Sequence, residues 1–280
     1  MSERTNPEDK IDVDLGEVQE TLLIPLYGRA KDAASRKSVL GDVKAREIVD
    51  SIDYDFAKFR GTSLSGSVLR SSIFDGWVRE FLAENPTGTV VEIGCGLNTR
   101  FERLDNERMR WFDLDVPDTA KMWRRFFSEG DRRTLLPVSV FDTEWMDKVA
   151  ETGGPWVFVA EAIFLYFPPD EVGAVLEKLC DRFPGSLLLI DSGNSSMRDG
   201  MDKNAAMKRV TARMKWTCED PREIEDWGPK LLETRTFASP QPEVLRTWPF
   251  TYRHGMRVVG KLFPPMVNLY RMNKLRLPEK

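Results

Sequence analysis

Residues 89–96, Thr-Val-Val-Glu-Ile-Gly-Cys-Gly, constrain this chain more than any other segment. A β-branched apolar run that ends in Gly-x-Gly has the form of a buried parallel strand feeding a tight turn. Glycine there lets the backbone pass close to a ligand, because a side chain would collide with it. Such a turn is completed by an acid about 20 residues further on, at the tip of the next strand, where it can hold a ribose hydroxyl pair. Asp113 and Asp115, in MRWFDLD (109–115), both fall in that window. Strand, turn, strand and acid together point to a nucleoside ligand.

The surrounding pattern supports a doubly wound α/β fold. Strands are expected over 89–96, 109–115, 135–141, the start of 156–167, and 186–192, with helices over 118–129 and 170–183 between them. That alternation is the grammar of a mostly parallel, Rossmann-like sheet. Upstream, 21–59 reads as two or three short helices. Ile73, Trp77 and Phe81, spaced four apart, give 69–82 one buried helix face. Downstream, Asn194–Lys215 reads as a helix with methionines at 197, 201, 207 and 214, more suited to core than to a substrate pocket. TRTFAS (234–239), WPFTYR (248–253) and the closing stretch are expected to add edge strands and a capping helix. The expected organisation is a loose tail (1–20), a helical N-terminal cap (21–88), a ligand-binding core (89–192), and completing strands with a C-terminal lid (193–280).

The identity of the nucleoside follows from what the turn lacks. A dinucleotide site wants a third glycine three residues after the second, and here that position is Thr99. Glu92 stands two residues before the first glycine, where an acid can face a cationic ligand. The E-x-G-x-G form therefore favours S-adenosylmethionine (SAM), which has no phosphate, over NAD. A net charge of −4 argues against nucleic acid as the partner. With no run of 18 apolar residues, no membrane span is expected. The polar, acidic start resembles neither a signal peptide nor a transit peptide. Three dispersed cysteines without a CxxC fit reduced cytoplasmic thiols better than disulfides or a metal site.

Three segments carry a resemblance. EIGCGLNT (92–99), WFDLDVP (111–117) and VAEAIFLYF (159–167) are similar to the leucine carboxyl methyltransferase superfamily. TLLIPLYGRAKD (21–32) and DYDF (53–56) resemble its branch of small-molecule O-methyltransferases, the tetracenomycin polyketide type. The resemblance spans residues 20–200 and implies a class I methyltransferase fold using SAM. It also implies roles. Arg70 grips the SAM carboxylate, a task for a bidentate guanidinium. Gly94 and Gly96 form the turn under the cofactor, and Asp115, before Val116-Pro117, binds ribose with Asp113 as its neighbour. Phe141 and Asp142 stand at the adenine, though Asp142 also suits the cap of a helix starting near Glu144. Glu161 lies near the methionine part, and Lys31 is a further cofactor ligand from the N-terminal helices.

His254 is the only histidine and the candidate general base. A phenol, with pKa near about 10, gains from a base, whereas a carboxylate is already ionised at neutral pH. The expected reaction is in-line methyl transfer to a carboxylate or phenolic oxygen of a small polyketide or aromatic acceptor, governed by alignment and desolvation. The alternatives are a protein C-terminal carboxyl methyltransferase and a SAM-binding regulator without turnover. The acceptor, the choice between O-, C- and N-methylation, and the oligomeric state are not legible in the sequence.

Overall fold

Short runs of β-branched and aromatic residues form the sheet of the computed structural model, which describes residues 17–59, 62–203 and 213–279. The strands are β1 (Thr89–Ile93), β2 (Arg110–Asp115), β3 (Arg133–Pro137), β4 (Trp156–Ala160), β5 (Leu187–Gly193), β6 (Lys230–Arg235) and β7 (Tyr270–Arg276). They lie in the order β3-β2-β1-β4-β5-β7-β6, with β7 antiparallel to both neighbours and the first five strands parallel. The order reverses between β1 and β4. In open parallel sheets that switch point opens a crevice at the carboxyl ends of the strands.

Helices α1 (Glu17–Ala33), α2 (Val43–Ser51) and α3 (Thr62–Glu84) precede the sheet. The crossovers and the turn after β1 carry α4 (Arg100–Leu104), α5 (Pro117–Phe126), α6 (Glu144–Ala150) and α7 (Pro169–Arg182). The remainder holds α8 (Ser195–Lys203), α9 (Pro242–Thr247), α10 (Phe250–Leu262) and α11 (Pro264–Val267). Successive strand residues point to opposite faces. Val91, Ile93, Phe158 and Ile190 therefore pack with Val172, Leu176 and Leu179 of α7. Val90, Trp111, Val157 and Leu189 meet Ile73, Trp77 and Phe81 of α3. A third cluster joins Leu23, Leu26 and Ile48 of the N-terminal helices to Trp123 of α5 and to Cys95 and Leu97 in the glycine turn. The N-terminal helices thus lean directly on the candidate ligand turn.

Several expected boundaries move. α1 begins at Glu17, inside the stretch expected to be tail, and α3 begins at Thr62 rather than near residue 69. The helix after residue 194 is described only to Lys203, and residues 213–218 are not helical; Met207 lies outside the described residues. Met214 is buried, and Met197 and Met201 pack against the same core. WPFTYR is not a strand. Pro249 lacks the N–H that a ladder needs and sits at the start of α10. The edge strand instead forms earlier, at Lys230–Arg235, and the closing strand is Tyr270–Arg276. No helix among the described residues is long and apolar enough to cross a membrane.

Trp77 fixes α3 to the sheet. Its ring is fully buried and its Nε1 donates to Glu233 Oε2 of β6 at 2.7 Å. Trp77→Ala opens a cavity and removes one donor from a carboxylate that Arg235 still pairs, so chemical denaturation is expected to show a loss of about 3–5 kcal/mol, mainly from the cavity.

Candidate functional site

The glycine turn leaves β1 with φ of +64° at Gly94 and +51° at Gly96, a region L side chains rarely enter. A β-carbon at Gly94 would stand 2.1 Å from Ile163 Cδ1, so a side chain would be excluded even if the backbone tolerated it. Asp115, at the tip of β2, ties this turn down: its Oδ2 accepts the Gly96 N–H at 2.8 Å and its Oδ1 the Val116 N–H at 2.8 Å. Asp113 serves a different purpose. It is buried and accepts from Arg133 Nε at 2.6 Å and Trp111 Nε1 at 3.1 Å, a core ion pair one turn of the pleat behind the tip. Of the two acids in the ribose window, only Asp115 remains partly exposed at the crevice.

Behind the turn lies a buried ionic network. Arg100, wholly inaccessible, donates Nε to Asp75 Oδ1 at 2.8 Å, Nη1 to Glu92 Oε1 and Nη2 to Glu161 Oε2. One guanidinium therefore gathers carboxylates from α3, from β1 and from the loop after β4. Arg103, one helical turn on, donates to both oxygens of Asp75 at 2.9 and 3.0 Å and to Asp42 Oδ2 at 2.9 Å. On the other side of Glu161, Arg70 Nε donates to Oε1 at 2.7 Å and Ser71 Oγ donates to the same atom at 2.8 Å. Arg70 also reaches Tyr270 Oη at 3.3 Å.

The carboxyls of this network diverge. Burial acts to raise Glu161, but Arg70, Arg100 and the Ser71 hydroxyl outweigh it and hold the group at about 2. Burial wins at Glu92 and lifts it to about 7 against the pull of Arg100. The physical reason is that Arg100 divides its charge among three carboxylates, while Glu92 Oε2 is buried with no partner. Asp191, at the end of β5, is likewise lifted by burial, to about 6, with its Oδ1 unpartnered.

The comparisons bear on this arrangement. The family model for leucine carboxyl methyltransferase matches residues 19–180, which include the glycine turn, Asp115, Arg70 and Glu161. The chain belongs to the leucine carboxyl methyltransferase family. It is similar to the tetracenomycin polyketide synthesis O-methyltransferase TcmP of Streptomyces glaucescens, 30% identical over 76% of this chain and 80% of that one. It also resembles the S-adenosyl-L-methionine-dependent methyltransferase dpfgK of Gibberella zeae, 29% identical over 80% and 83% of the two chains. In fold it is similar to a Thermobifida fusca protein assigned as a methyltransferase, with TM-score 0.54, 18% identity, and 91% and 95% of the chains covered. A DUF574-family protein of Streptomyces avermitilis gives 0.55 at 12% identity, covering 94% and 100%. This member of the family is thus a SAM-dependent methyltransferase with a class I, Rossmann-like fold.

The structure gathers Arg70, Glu92, Gly94, Gly96, Asp115 and Glu161 around the carboxyl ends of β1, β2 and β4. Phe141 lies beyond β3, its ring edge-on to Phe167 at 4.8 Å. Asp142 is exposed and accepts the Ser139 N–H at 3.0 Å; Thr143 is the cap of α6, so Asp142 closes a turn rather than capping that helix. Lys31 is exposed on α1, with its Nζ 5.6 Å from the centre of the Tyr27 ring. It lines a cleft of about 590 Å³ between α1, α3 and α10, with Lys37, Phe59, Val68, Leu69 and Tyr252. His254 stands on α10, exposed, its Nδ1 3.1 Å from the Phe250 carbonyl and its ring stacked on Phe250. It is not among the residues of that cleft.

Arg100 is the residue that sequence reading missed. The available signal was energetic: acids inside the apolar runs of β1 and 159–167 demand a cation. Sequence spacing could not name it, because Arg100 is 61 residues from Glu161.

Glu92 offers a test. Its folded pKa of about 7 lies above that of an unfolded glutamate, about 4.3. Its contribution to stability is therefore present in acid and lost as pH rises from about 4.3 to about 7. Glu161, held at about 2, acts oppositely and withdraws its contribution as pH falls below the ordinary carboxylate range. Glu92→Gln, which mimics the protonated form, is expected to gain in Tm relative to wild type between about pH 5 and about pH 8. A difference in Tm that stays flat over that range would mean Glu92 titrates normally.

Proposed function

We propose that this protein transfers a methyl group to a carboxylate oxygen of a small, largely apolar acceptor of the polyketide or aromatic type. The observation that carries the reading is the convergence of the Arg70–Glu161 pair, the Gly94–Gly96 turn and Asp115 beside a cleft walled by lysines and aromatic rings. The residues fit SAM. Arg70 and Glu161 offer a guanidinium for a carboxylate and a carboxylate for an ammonium, the two ends of an amino acid. Two positive-φ glycines let a ligand approach the backbone, and Asp115 suits a ribose diol. Glu92 Oε2 and Asp191 Oδ1 are buried acceptors still without donors. When bound, the cofactor supplies a methyl group on a sulfonium, activated for displacement.

The chain's own residues then have to bind, align and exclude water. Val68 and Leu69, which wall the cleft, immediately precede Arg70 on α3, so cleft and cofactor grip share one helix. Lys31 and Lys37 favour an anionic acceptor. Asp32 also lines the cleft, but its oxygens accept the Val39 and Leu40 N–H groups and the Ser38 hydroxyl, so it is not poised as a base. A carboxylate needs no base, which agrees with this lining. In this reading α1–α3 cover the cofactor, and residues 193–280 supply the acceptor lid. The similarity to TcmP, a polyketide O-methyltransferase, supports oxygen as the methylated atom.

Calorimetric titration with S-adenosylhomocysteine (SAH), with NADH as control, tests the cofactor site. Micromolar SAH binding is expected, abolished by Arg70→Ala and by Asp115→Ala; NADH binding without SAH binding would overturn the reading. A panel of aromatic carboxylic acids and phenols, followed by mass spectrometry, then tests the acceptor. Methyl esters are expected, and His254→Ala is expected to change their rate by less than about twofold, since no proton has to be removed. Turnover confined to phenols, with loss in His254→Ala, would move the reaction to a base-assisted ether synthesis.

A further inference from the structure

The loop that presents Glu161 is bent in an unusual way. Ala162, the next residue, has φ of +58°, a left-handed conformation that is unfavourable for a residue with a β-carbon. Such strain persists only where neighbouring groups enforce it. Here the enforcing group is Asp191, fully buried at the end of β5, whose Oδ2 accepts the Ala162 N–H at 2.7 Å. The same oxygen accepts the hydroxyl of Tyr270, which opens β7 opposite Gly193. Tyr270 in turn receives Arg70 Nη1 at 3.3 Å, while Arg70 Nε holds Glu161 at 2.7 Å. The contacts close into a ring: Arg70, Glu161, Ala162, Asp191, Tyr270 and back to Arg70. Phe237, stacked on the Tyr270 ring at 6.0 Å, fixes the phenol in place.

We propose that Asp191 and Tyr270 are positioning residues, which hold the Glu161 turn and one arm of Arg70 in the geometry that receives the amino-acid end of the cofactor. The proposal rests on the cofactor site assigned above and adds two residues that make no ion pair with the glycine turn or with Arg100. Asp191 fixes the backbone on one side of Glu161. Tyr270 passes the restraint to Arg70, so both halves of the grip are set by two neighbouring antiparallel strands, β5 and β7. Without the Asp191 carboxylate, Ala162 has no reason to stay left-handed, and relaxation of that residue swings the adjoining Glu161 carboxylate away from Arg70. A glycine at 162 carries no such penalty and can keep the turn unaided.

The test is SAH calorimetry beside Tm on Tyr270→Phe, Asp191→Ala, and Asp191→Ala combined with Ala162→Gly, with Arg70→Ala as reference. Tyr270→Phe keeps the stacked ring and removes only the hydroxyl. It is expected to weaken SAH binding by about tenfold, the effect of one lost hydrogen bond to charged groups, with a small change in Tm. Asp191→Ala is expected to weaken binding further, and adding Ala162→Gly to recover a measurable part of it. Recovery of affinity by a glycine is an effect that general loosening of the fold would not produce. Wild-type affinity in Tyr270→Phe overturns the proposal, and so does loss in Asp191→Ala that the glycine leaves untouched. If Asp191→Ala does not fold, Tyr270→Phe decides alone. The cofactor reading fails separately, through a wild-type protein that does not bind SAH or an Arg70→Ala protein that binds it normally.

Discussion

The guanidinium of Arg100 is the interaction on which the site depends. It sits wholly inside the protein and touches Asp75, Glu92 and Glu161, so α3, β1 and the loop after β4 share one cation. Removing a buried ion's partner is costly, about 3–5 kcal/mol, because it leaves a charge stranded away from water. The elements are therefore not free to shift independently. Arg103 extends the same linkage to Asp42, and Arg29 lies 3.1 Å from that acid, which draws α1 and α2 against the glycine turn.

Under the proposed cofactor assignment, that linkage shapes the methyl-donor site before a ligand arrives. Glu161 is held from one side by Arg100 and from the other by Arg70 and Ser71, so its carboxylate keeps its charge and its orientation. Pre-organisation of this kind lowers what binding must spend on ordering. Arg70 differs from Arg100 in remaining partly open, with 15% of its side chain accessible against none for Arg100. One arginine is structural cement and the other faces the crevice. The same distinction separates Asp113, locked to Arg133 in the core, from Asp115 at the strand tip.

The proposed acceptor cleft is built differently. It is formed by helices outside the parallel sheet, and its walls combine lysines with aromatic and aliphatic surface. α10, which contributes Thr251 and Tyr252, exposes Phe250, Val258 and Leu262. The candidate cofactor residues sit at the sheet end, whereas α10, one wall of the cleft, buries none of its own residues.

The sequence by itself determined the parallel core and the cofactor class, because both rest on local rules. β-branched runs make strands, a Gly-x-Gly turn announces close backbone approach, and an acid at fixed distance marks the next strand tip. The C-terminal third was read less well: WPFTYR has the composition of a strand, but Pro249 begins a helix, and β7 pairs with β5 across some eighty residues. Only the tertiary structure showed that Asp113 is locked to Arg133 in the core, and that Arg100 pairs with both Glu92 and Glu161. The same holds for Ala162, which is left-handed under the hold of Asp191. Those outcomes depend on charges and donors brought together from distant segments, and a buried charge finds its partner by proximity in the fold, not by spacing along the chain.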